Sequence, residues 1–319
     1  MTMLHLKRCR VPLPRPAIKL QLPNKNTFIT TESRFNQPFV NSRTMNTLQE
    51  ASKIYNAFKK GGPSFGGWQM LPGTNHARAI ARSGVDWVCV DTEHGNIDDA
   101  AMHEAVVAIA KEGVSPIVRI AANEAWMVKR ALDSGAHGIV VPLIYTVEDA
   151  KRLASSARFP PEGHRGFGSP LPVQCFNDEG MAYYLQHANT TLQTIVQIET
   201  ASALEHVQEI AAIPGIDCLL IGPFDLGNNI GRPILGEMHQ ELKDAIEAIK
   251  EAAHAAGKKV GIYTNSGEEA KAYADRGFDM ISILTDQMCI TQAFKQSLAV
   301  ASGQAAGSGS TKVKGYDGK

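Results

Sequence analysis

Short apolar segments alternate with helical patterns along most of this chain, from about Ser64 to Val300. Continuous apolar runs are typical of parallel strands that are buried on both faces. The predicted strands are FGGWQM (65–70), DWVCVD (86–91), PIVRIA (116–121), GIVVPLI (138–144), TIVQIE (194–199), CLLIGPFDL (218–226), KKVGIYT (258–264) and FDMISIL (278–284). The predicted helices between them include 77–84, 125–136, 201–213 and 239–257.

Regular alternation of strand and helix indicates right-handed βαβ units. Eight such units in roughly 240 residues match the size of a (β/α)8 barrel. The predicted fold class is therefore α/β, a (β/α)8 TIM barrel. An open doubly wound sheet is the alternative. The absence of a G-x-G-x-x-G after the first strand counts against its dinucleotide-binding version.

Composition limits the partners that this chain can have. The 319 residues carry a formal net charge of +0, and the sequence pI is about 7.1. No bulk basic charge is present to attract nucleic acid or an anionic membrane. No apolar run reaches the roughly 18 residues that a membrane-spanning helix needs. The five cysteines are scattered without a C-x-x-C, which favours a reducing compartment.

Both ends of the chain differ from the rest. Residues 1–45 contain eight Lys or Arg against one acid, Glu32, which is the bias of a mitochondrial transit peptide. Several prolines would break an amphipathic helix there, so a disordered extension ahead of a second start at Met45 is the other interpretation. We expect an extension at 1–59, a barrel domain at 60–301 and a flexible Gly/Ser-rich tail at 302–319. The expected location is cytoplasmic, with mitochondria as the alternative.

One connection is unusually long. The chain from Phe159 to Thr191 is rich in Pro and Gly and forms an insertion after the fourth strand. Loops of this length inside compact domains are usually functional lids or interface elements. We expect such a role here.

Barrel enzymes build their active sites at the carboxyl ends of the strands. Arg119 interrupts the apolar third strand and Glu199 closes the fifth. Charged groups in such places are costly to desolvate unless they are paired or bind a ligand. The alternative to substrate binding is an ion pair of Arg119 with Glu199 or Asp91. The other residues at predicted strand ends are Trp68, Gln69, Glu93, His94, Gln197, Pro223, Asp225, Tyr263, Thr264 and Asn265.

Two carboxylates, Glu199 and Asp225, end adjacent predicted strands. Two hard oxygen donors with open positions suit Mg²⁺ or Mn²⁺, which keep several waters and accept substrate oxygens. No cysteine cluster or H-x-x-x-H favours zinc. No lysine ends a predicted strand, so a Schiff-base mechanism is not indicated. The loops after the last two strands are not Gly-rich, which favours a non-phosphorylated substrate.

Together these segments resemble the HpcH/HpaI family of divalent-metal-dependent 2-oxo-acid aldolases, which includes 4-hydroxy-2-oxo-heptanedioate and 2-dehydro-3-deoxyglucarate aldolases. The resemblance covers about residues 60–300, with one block on nearly every strand. The blocks are Gly66-Gly67-Trp68, DWVCVDTEHG, PIVRI, ALDSGAHGIVVPLI, GHRGFG, IVQIET and IGPFDLG.

The resemblance implies a role for each matching residue. Glu199 and Asp225 are the metal ligands, and Arg119 polarises the bound keto acid. His94 is the base, with Asp133 as its carboxylate partner. The residues implied to contact substrate are Trp68, Gln197, Gly222 and Pro223. Asp91 is expected to act behind the ligands, and Glu93 is a lesser candidate. Family members are typically hexamers built as trimers of dimers, which implies a homo-oligomer here.

The implied reaction is the reversible aldol cleavage of a 4-hydroxy-2-oxo acid to pyruvate, or a related 2-oxo acid, and an aldehyde. His94, directly or through a water, would remove the C4 hydroxyl proton. A citryl- or malyl-CoA lyase is one alternative, although no Lys/Arg cluster at the strand ends would bind the CoA diphosphate. A catalytically idle, metabolite-binding barrel is another. Loss of Glu199, Asp225 or Arg119 would indicate it, and all three are present.

Overall fold

The structure is a computed structural model that describes residues 47–176 and 180–303. All eight strands are parallel and close into one barrel in chain order, with the last strand paired to the first. The strands are β1 (Ser64–Gln69), β2 (Trp87–Asp91), β3 (Ser115–Arg119), β4 (Gly138–Val141), β5 (Gln193–Ile198), β6 (Cys218–Ile221), β7 (Lys259–Ile262) and β8 (Met280–Thr285).

Helices surround the barrel and also precede its first strand. In chain order they are α1 (Leu48–Ala51), α2 (Lys53–Lys60), α3 (Thr74–Ala81), α4 (Asp99–Lys111), α5 (Ala125–Asp133), α6 (Val147–Ala157), α7 (Met181–Thr191), α8 (Ala201–Glu205), α9 (Val207–Ala211), α10 (Pro223–Asn229), α11 (Gln240–Ala255), α12 (Gly267–Asp275) and α13 (Asp286–Ala301). The structure thus confirms the predicted (β/α)8 barrel. Its apolar core lies mainly between the strands and this helical layer.

The barrel interior is packed rather than hollow. A second cluster fills it, and it is made of Ile54, Trp68, Trp87, Cys89, Ile117, Val140, Ile195, Cys218, Leu220 and Met280. The indole ring of Trp87 occupies the space beside Gly66, where an added Cβ would lie 2.0 Å from the ring. Glycine is therefore required there by close approach. Because the centre is filled, only the two ends of the barrel remain for a site.

Helices α1 and α2 close the amino end of the barrel. Each begins with a hydroxyl cap, from Thr47 and Ser52 respectively. Ile54 inserts into the interior cluster, and its N–H donates to the hydroxyl of Ser115 at 3.0 Å. Residues 48–59 fall within the extension expected at 1–59, and here they form helices that pack against the barrel. The sequence of this amphipathic helix contains one isoleucine that is buried in the structure, but no strand pattern that would have predicted its packing against the barrel. The rest of the extension, residues 1–46, lies outside the described residues.

Three predicted boundaries shift. The sixth strand ends at Ile221 rather than 226, because Pro223 takes the first position of α10, where its missing N–H costs nothing. The fourth strand ends at Val141 rather than 144. The helix expected over 201–213 is divided into α8 and α9 at His206.

The long connection follows α6, not β4 directly, and packs at the amino end of the barrel. Arg158 binds Asp217, ahead of β6, and Phe176 stacks on His137, ahead of β4. Within its described part, the connection contains a 3₁₀ turn (Pro172–Cys175) and helix α7. The described residues of this connection do not line the pocket at the carboxyl end. A lid over the active site is therefore not what they form.

Helix α13 projects three apolar side chains into solvent, Ile290, Phe294 and Leu298, each four residues after the last. Residues 304–319 of the expected tail lie outside the described part. Among the helices of that part, none has the length and hydropathy to cross a membrane.

Candidate active site

A pocket of about 190 Å³ opens at the carboxyl end of the barrel. Its walls bring together residues from strands or following loops of β1, β2, β3, β5, β6 and β7. They are Trp68, Met70, Asp91, His94, Arg119, Gln197, Leu220, Gly222, Pro223, Phe224, Asp225 and Tyr263. A wider groove of about 540 Å³ beside α11 and α12 is lined by ion pairs such as Glu247–Arg276. The narrower pocket at the carboxyl end contains the predicted site residues.

A buried ion pair lies at the base of the pocket. Asp91 and Arg119 are register partners on β2 and β3. The carboxylate of Asp91 accepts two hydrogen bonds from the guanidinium, including Nε to Oδ1 at 2.9 Å. The indole of Trp68 donates to Asp91 Oδ2 at 3.0 Å, and its ring lies 4.9 Å from the guanidinium carbon. These contacts hold the guanidinium of Arg119 in one orientation and favour its charged form.

Asp91 also organises the loop that follows β2. Its Oδ1 accepts the backbone N–H groups of Glu93 at 3.0 Å and His94 at 3.2 Å. Thr92 donates twice to the carbonyl of Arg119. This places Glu93 against the guanidinium at 3.1 Å and leaves the imidazole of His94 exposed at the pocket wall.

The pKa values of Asp91, at the end of β2, and Glu93, in the loop that follows, are shifted in opposite directions. Burial favours protonation of Asp91, but the hydrogen bonds and charge of Arg119 outweigh it and hold its pKa below the usual value. Burial raises the pKa of Glu93 to about 7, and the neighbouring acids Asp91 and Asp225 add to the rise against the opposing charge of Arg119. Perturbed groups of this kind cluster at functional sites.

Glu199, directly after β5, is almost completely buried. Its Oε1 accepts the backbone N–H of Leu143 at 2.8 Å, and its Oε2 accepts from the side-chain amide of Gln197. Leu143 holds a positive φ of 50°, a conformation that leucine seldom adopts and that aims this N–H. Gly222 lies so close that an added Cβ would be 2.4 Å from Glu199 Oε2. Burial raises the pKa of Glu199 to about 7.

Asp225 lies in the first turn of α10, not at a strand end as predicted. It is exposed at the pocket and close enough to Glu199 to raise the pKa of that buried acid. Within 47–176 and 180–303, no three His, Cys, Asp or Glu side chains converge as a ready metal cluster. Two carboxylates and the buried Oε1 of Gln197, which lacks a hydrogen-bond partner, form an oxygen donor set. Such a set fits a hard divalent cation that keeps waters.

The predicted partner of His94 lies elsewhere within the chain. Asp133 is the last residue of α5, in the outer helical layer, and pairs with Arg165 at 2.8 Å. The described side-chain contact of His94 is with Glu93, at 3.7 Å. The pairing of His94 with Asp133 stays a prediction.

Sequence reasoning missed several pocket residues. Met70 and Phe224 lie within the predicted first and sixth strands and were assigned no role, yet both line the pocket. Tyr263 packs edge-on against Trp68 at 5.2 Å and hydrogen-bonds Thr285 at 2.6 Å. Its position at the end of a predicted strand was the available signal.

Comparisons with known proteins agree on one family. The model of the HpcH/HpaI aldolase/citrate lyase family matches residues 68–293. A hydroxypyruvate/pyruvate aldolase from Rhizorhabdus wittichii is 36% identical over 251 residues, which cover 78% of this chain and 98% of the relative. A 2-dehydro-3,6-dideoxy-6-sulfogluconate aldolase from Pseudomonas putida is 33% identical over 251 residues, with coverages of 78% and 96%.

A solved structure supports the same conclusion. A family protein from Burkholderia cenocepacia, described as HpcH/Hpal aldolase/citrate lyase, has a TM-score of 0.72 and 34% identity. The match covers 79% of this chain and 99% of that one. The fold and the site therefore define a (β/α)8-barrel enzyme of the lyase class. The chain belongs to the HpcH/HpaI aldolase/citrate lyase family.

Proposed function

We propose that the protein catalyses the reversible aldol cleavage of a 4-hydroxy-2-oxo acid, giving pyruvate or a related 2-oxo acid and an aldehyde. The observation that carries the proposal is the convergence of Arg119, His94 and Asp225 on one pocket at the carboxyl end of the barrel. The buried Glu199 lies directly behind the pocket wall, against Gln197 and Gly222. The names of two relatives, both aldolases, support it.

The acidic pair is proposed to hold a divalent metal, Mg²⁺ or Mn²⁺, through Glu199 and Asp225. The family is in general divalent-metal-dependent. When bound, such an ion supplies Lewis-acid polarisation of the 2-oxo and carboxylate oxygens. Leu143 and Gln197 hold the carboxylate of Glu199 in place, and Gly222 leaves room beside it.

Arg119 is proposed to stabilise the charge that develops on the enolate oxygen during cleavage. Asp91 and Trp68 already fix the guanidinium, so no reorganisation is needed when charge appears. Gly222 and Pro223 form the turn at the start of α10 that is proposed to meet the substrate carboxylate. Trp68 and Gln197 complete this side of the pocket.

His94 is proposed to take the proton of the C4 hydroxyl, directly or through a water. An imidazole suits the role because its ring nitrogens can both accept and donate a proton. Since Asp133 pairs with Arg165 in the outer helical layer, its proposed pairing with His94 requires a second copy of the chain. We propose a homo-oligomer, a hexamer built as a trimer of dimers. The exposed apolar row of α13 supports association.

Of the lysines and arginines in the described part, only Arg119 lines the pocket. A CoA diphosphate would find no basic groove there, which leaves the aldolase as the supported function. We further propose a cytoplasmic location, with mitochondria as the alternative. N-terminal sequencing of the native protein decides between them by showing whether a segment before Met45 is removed.

The test is pyruvate release from 4-hydroxy-2-oxo acids, measured with metal-stripped enzyme and after adding Mg²⁺ or Mn²⁺. We expect no turnover after stripping and full recovery on addition. Glu199→Gln, which keeps the side-chain size, should bind the added metal more weakly in a calorimetric titration. Undiminished activity of the stripped enzyme would contradict the metal proposal. Absence of pyruvate from every substrate tried would contradict the reaction.

A further inference from the structure

The first residue of α13, Asp286, is a buried carboxylate outside the pocket lining, and it makes an unusual number of contacts. It accepts the backbone N–H groups of Met70 (3.0 Å), Leu71 (3.1 Å) and Gln287 (2.7 Å). The ring Nε2 of His76 lies 2.7 Å from its Oδ2. The side chain of Asp286 is 2% exposed. Such a carboxylate ties the loop after β1 to the end of β8.

The loop held by Asp286 is in turn bonded to the loop that carries His94. The N–H of Leu71 donates to Asp286, and the carbonyl of the same peptide unit, which belongs to Met70, accepts the N–H of Asn96 at 2.9 Å. Gly95 lies against the same peptide, since an added Cβ would be 3.1 Å from Met70 O. A continuous path therefore runs from Asp286 through one peptide to the residues directly after His94.

We propose that Asp286, supported by His76, is a positioning residue for the aldol reaction. It fixes the Met70 peptide, and that peptide fixes the β2–α4 loop at Gly95 and Asn96, so that His94 is held at the distance its proton transfer needs. The proposal rests on the proposed role of His94. Asp286 itself touches no reacting atom.

The other end of the same strand provides a matched control. Asp279, just before β8, is also buried; it accepts the N–H of Val260 at 3.1 Å and pairs with His254 at 3.0 Å. Both aspartates thus join a histidine to at least one backbone N–H, and Asp279 also pairs with Lys259 at 2.9 Å. Asp279 lies at the amino end, away from the pocket, so its loss affects stability without moving His94.

The experiment compares Asp286→Ala with Asp279→Ala in the full chain with Mg²⁺, using kcat and KM for pyruvate release and the denaturant midpoint. We expect both variants to lose stability. Only Asp286→Ala should lower kcat, by about 10- to 100-fold. A displacement of the base on the order of 1 Å can reduce the rate by that factor. KM should stay within about twofold, since Arg119 and the acidic pair are untouched. Equal kcat in the two variants would overturn the proposal.

A double-mutant cycle with His94→Ala tests the route. If Asp286 acts through His94, adding Asp286→Ala to His94→Ala should cost no further kcat. A full, additive loss in that background would overturn the proposal. If Asp286→Ala does not fold, His76→Ala takes its place, with a smaller loss of kcat expected and an unchanged kcat overturning the inference. Failure of the proposed function is distinct, because the unmutated enzyme itself would then release no pyruvate.

Discussion

Each end of the barrel carries a buried arginine that pairs with an aspartate, and the two pairs are used differently. At the amino end, Arg158 binds Asp217 at 2.8 Å and donates to the hydroxyl of Thr194 and the carbonyl of Gly215. At the carboxyl end, Arg119 binds Asp91 but also lines a pocket and contacts Glu93, an acid with a raised pKa.

The surroundings of the two arginines indicate which end of the barrel can carry function. The amino-end arginine has protein acceptors on its guanidinium and joins segments that must meet for the barrel to close. The carboxyl-end arginine is equally well held by Asp91, yet it faces a cavity that Asp225 also lines, and burial raises the pKa of the neighbouring Glu199 to about 7. An enzyme needs charged groups that are already oriented before the reaction begins. Burying such charges without full pairing lowers the stability of the fold, so stability alone would not favour this arrangement.

The largest expected effect separates these two arginines. Arg119→Lys should lower kcat by about 100-fold or more, because a lysine cannot keep the two-pronged contact with Asp91 while aiming its charge. Arg158→Lys should lower the denaturant midpoint and leave kcat unchanged. Steady-state kinetics beside urea unfolding of both variants checks this. A similar loss of kcat in both would remove the distinction between the ends.

A core deletion at the amino end should give the next largest effect. Ile54→Ala removes a fully buried side chain from the barrel interior and should cost about 2–5 kcal/mol of unfolding free energy. Its kcat/KM should not change. The control is Leu235→Ala, because Leu235 is 78% exposed and its truncation should cost little. An Ile54→Ala enzyme with normal stability and impaired kcat/KM would show that the two ends are coupled.

The smallest effect is a pH dependence at the carboxyl end. The pKa of Glu93 in the folded protein, about 7, lies above its ordinary value near 4.5. The folded state therefore binds more protons than the unfolded state between these values, and this group's contribution to stability falls as pH rises through that window. Glu93→Gln should remove the fall, so that its melting temperature relative to the unmutated protein increases from pH 5 to pH 7. A difference that is constant with pH would contradict the raised pKa.

The fold could be predicted from the sequence because the spacing of apolar residues and the order of strands and helices determine it. Buried parallel strands are apolar throughout, and eight of them in alternation leave one closed arrangement. Most of the site could be located from the same strand pattern. Asp91, Arg119 and Gln197 lie on different strands, and barrel geometry alone brings their ends to a common mouth.

The other features of the site could not be predicted from the sequence. The N–H that holds Glu199 belongs to Leu143, and a backbone donor looks the same in any residue. Asp225 was assigned to a strand because the run from Cys218 to Leu226 is apolar, although Pro223 starts a helix within it. The length of the 159–191 connection indicated importance but not at which end of the barrel it packs.

We propose that the pocket at the carboxyl end cleaves a 4-hydroxy-2-oxo acid through an enolate that the residues of the pocket stabilise. Turnover of a 4-hydroxy-2-oxo acid in D₂O with Mg²⁺, followed by ¹H NMR, tests it most directly. We expect an aldehyde and pyruvate with one deuterium in its methyl group, and neither product from Glu199→Ala. Pyruvate without deuterium, or equal product from Glu199→Ala, would contradict it.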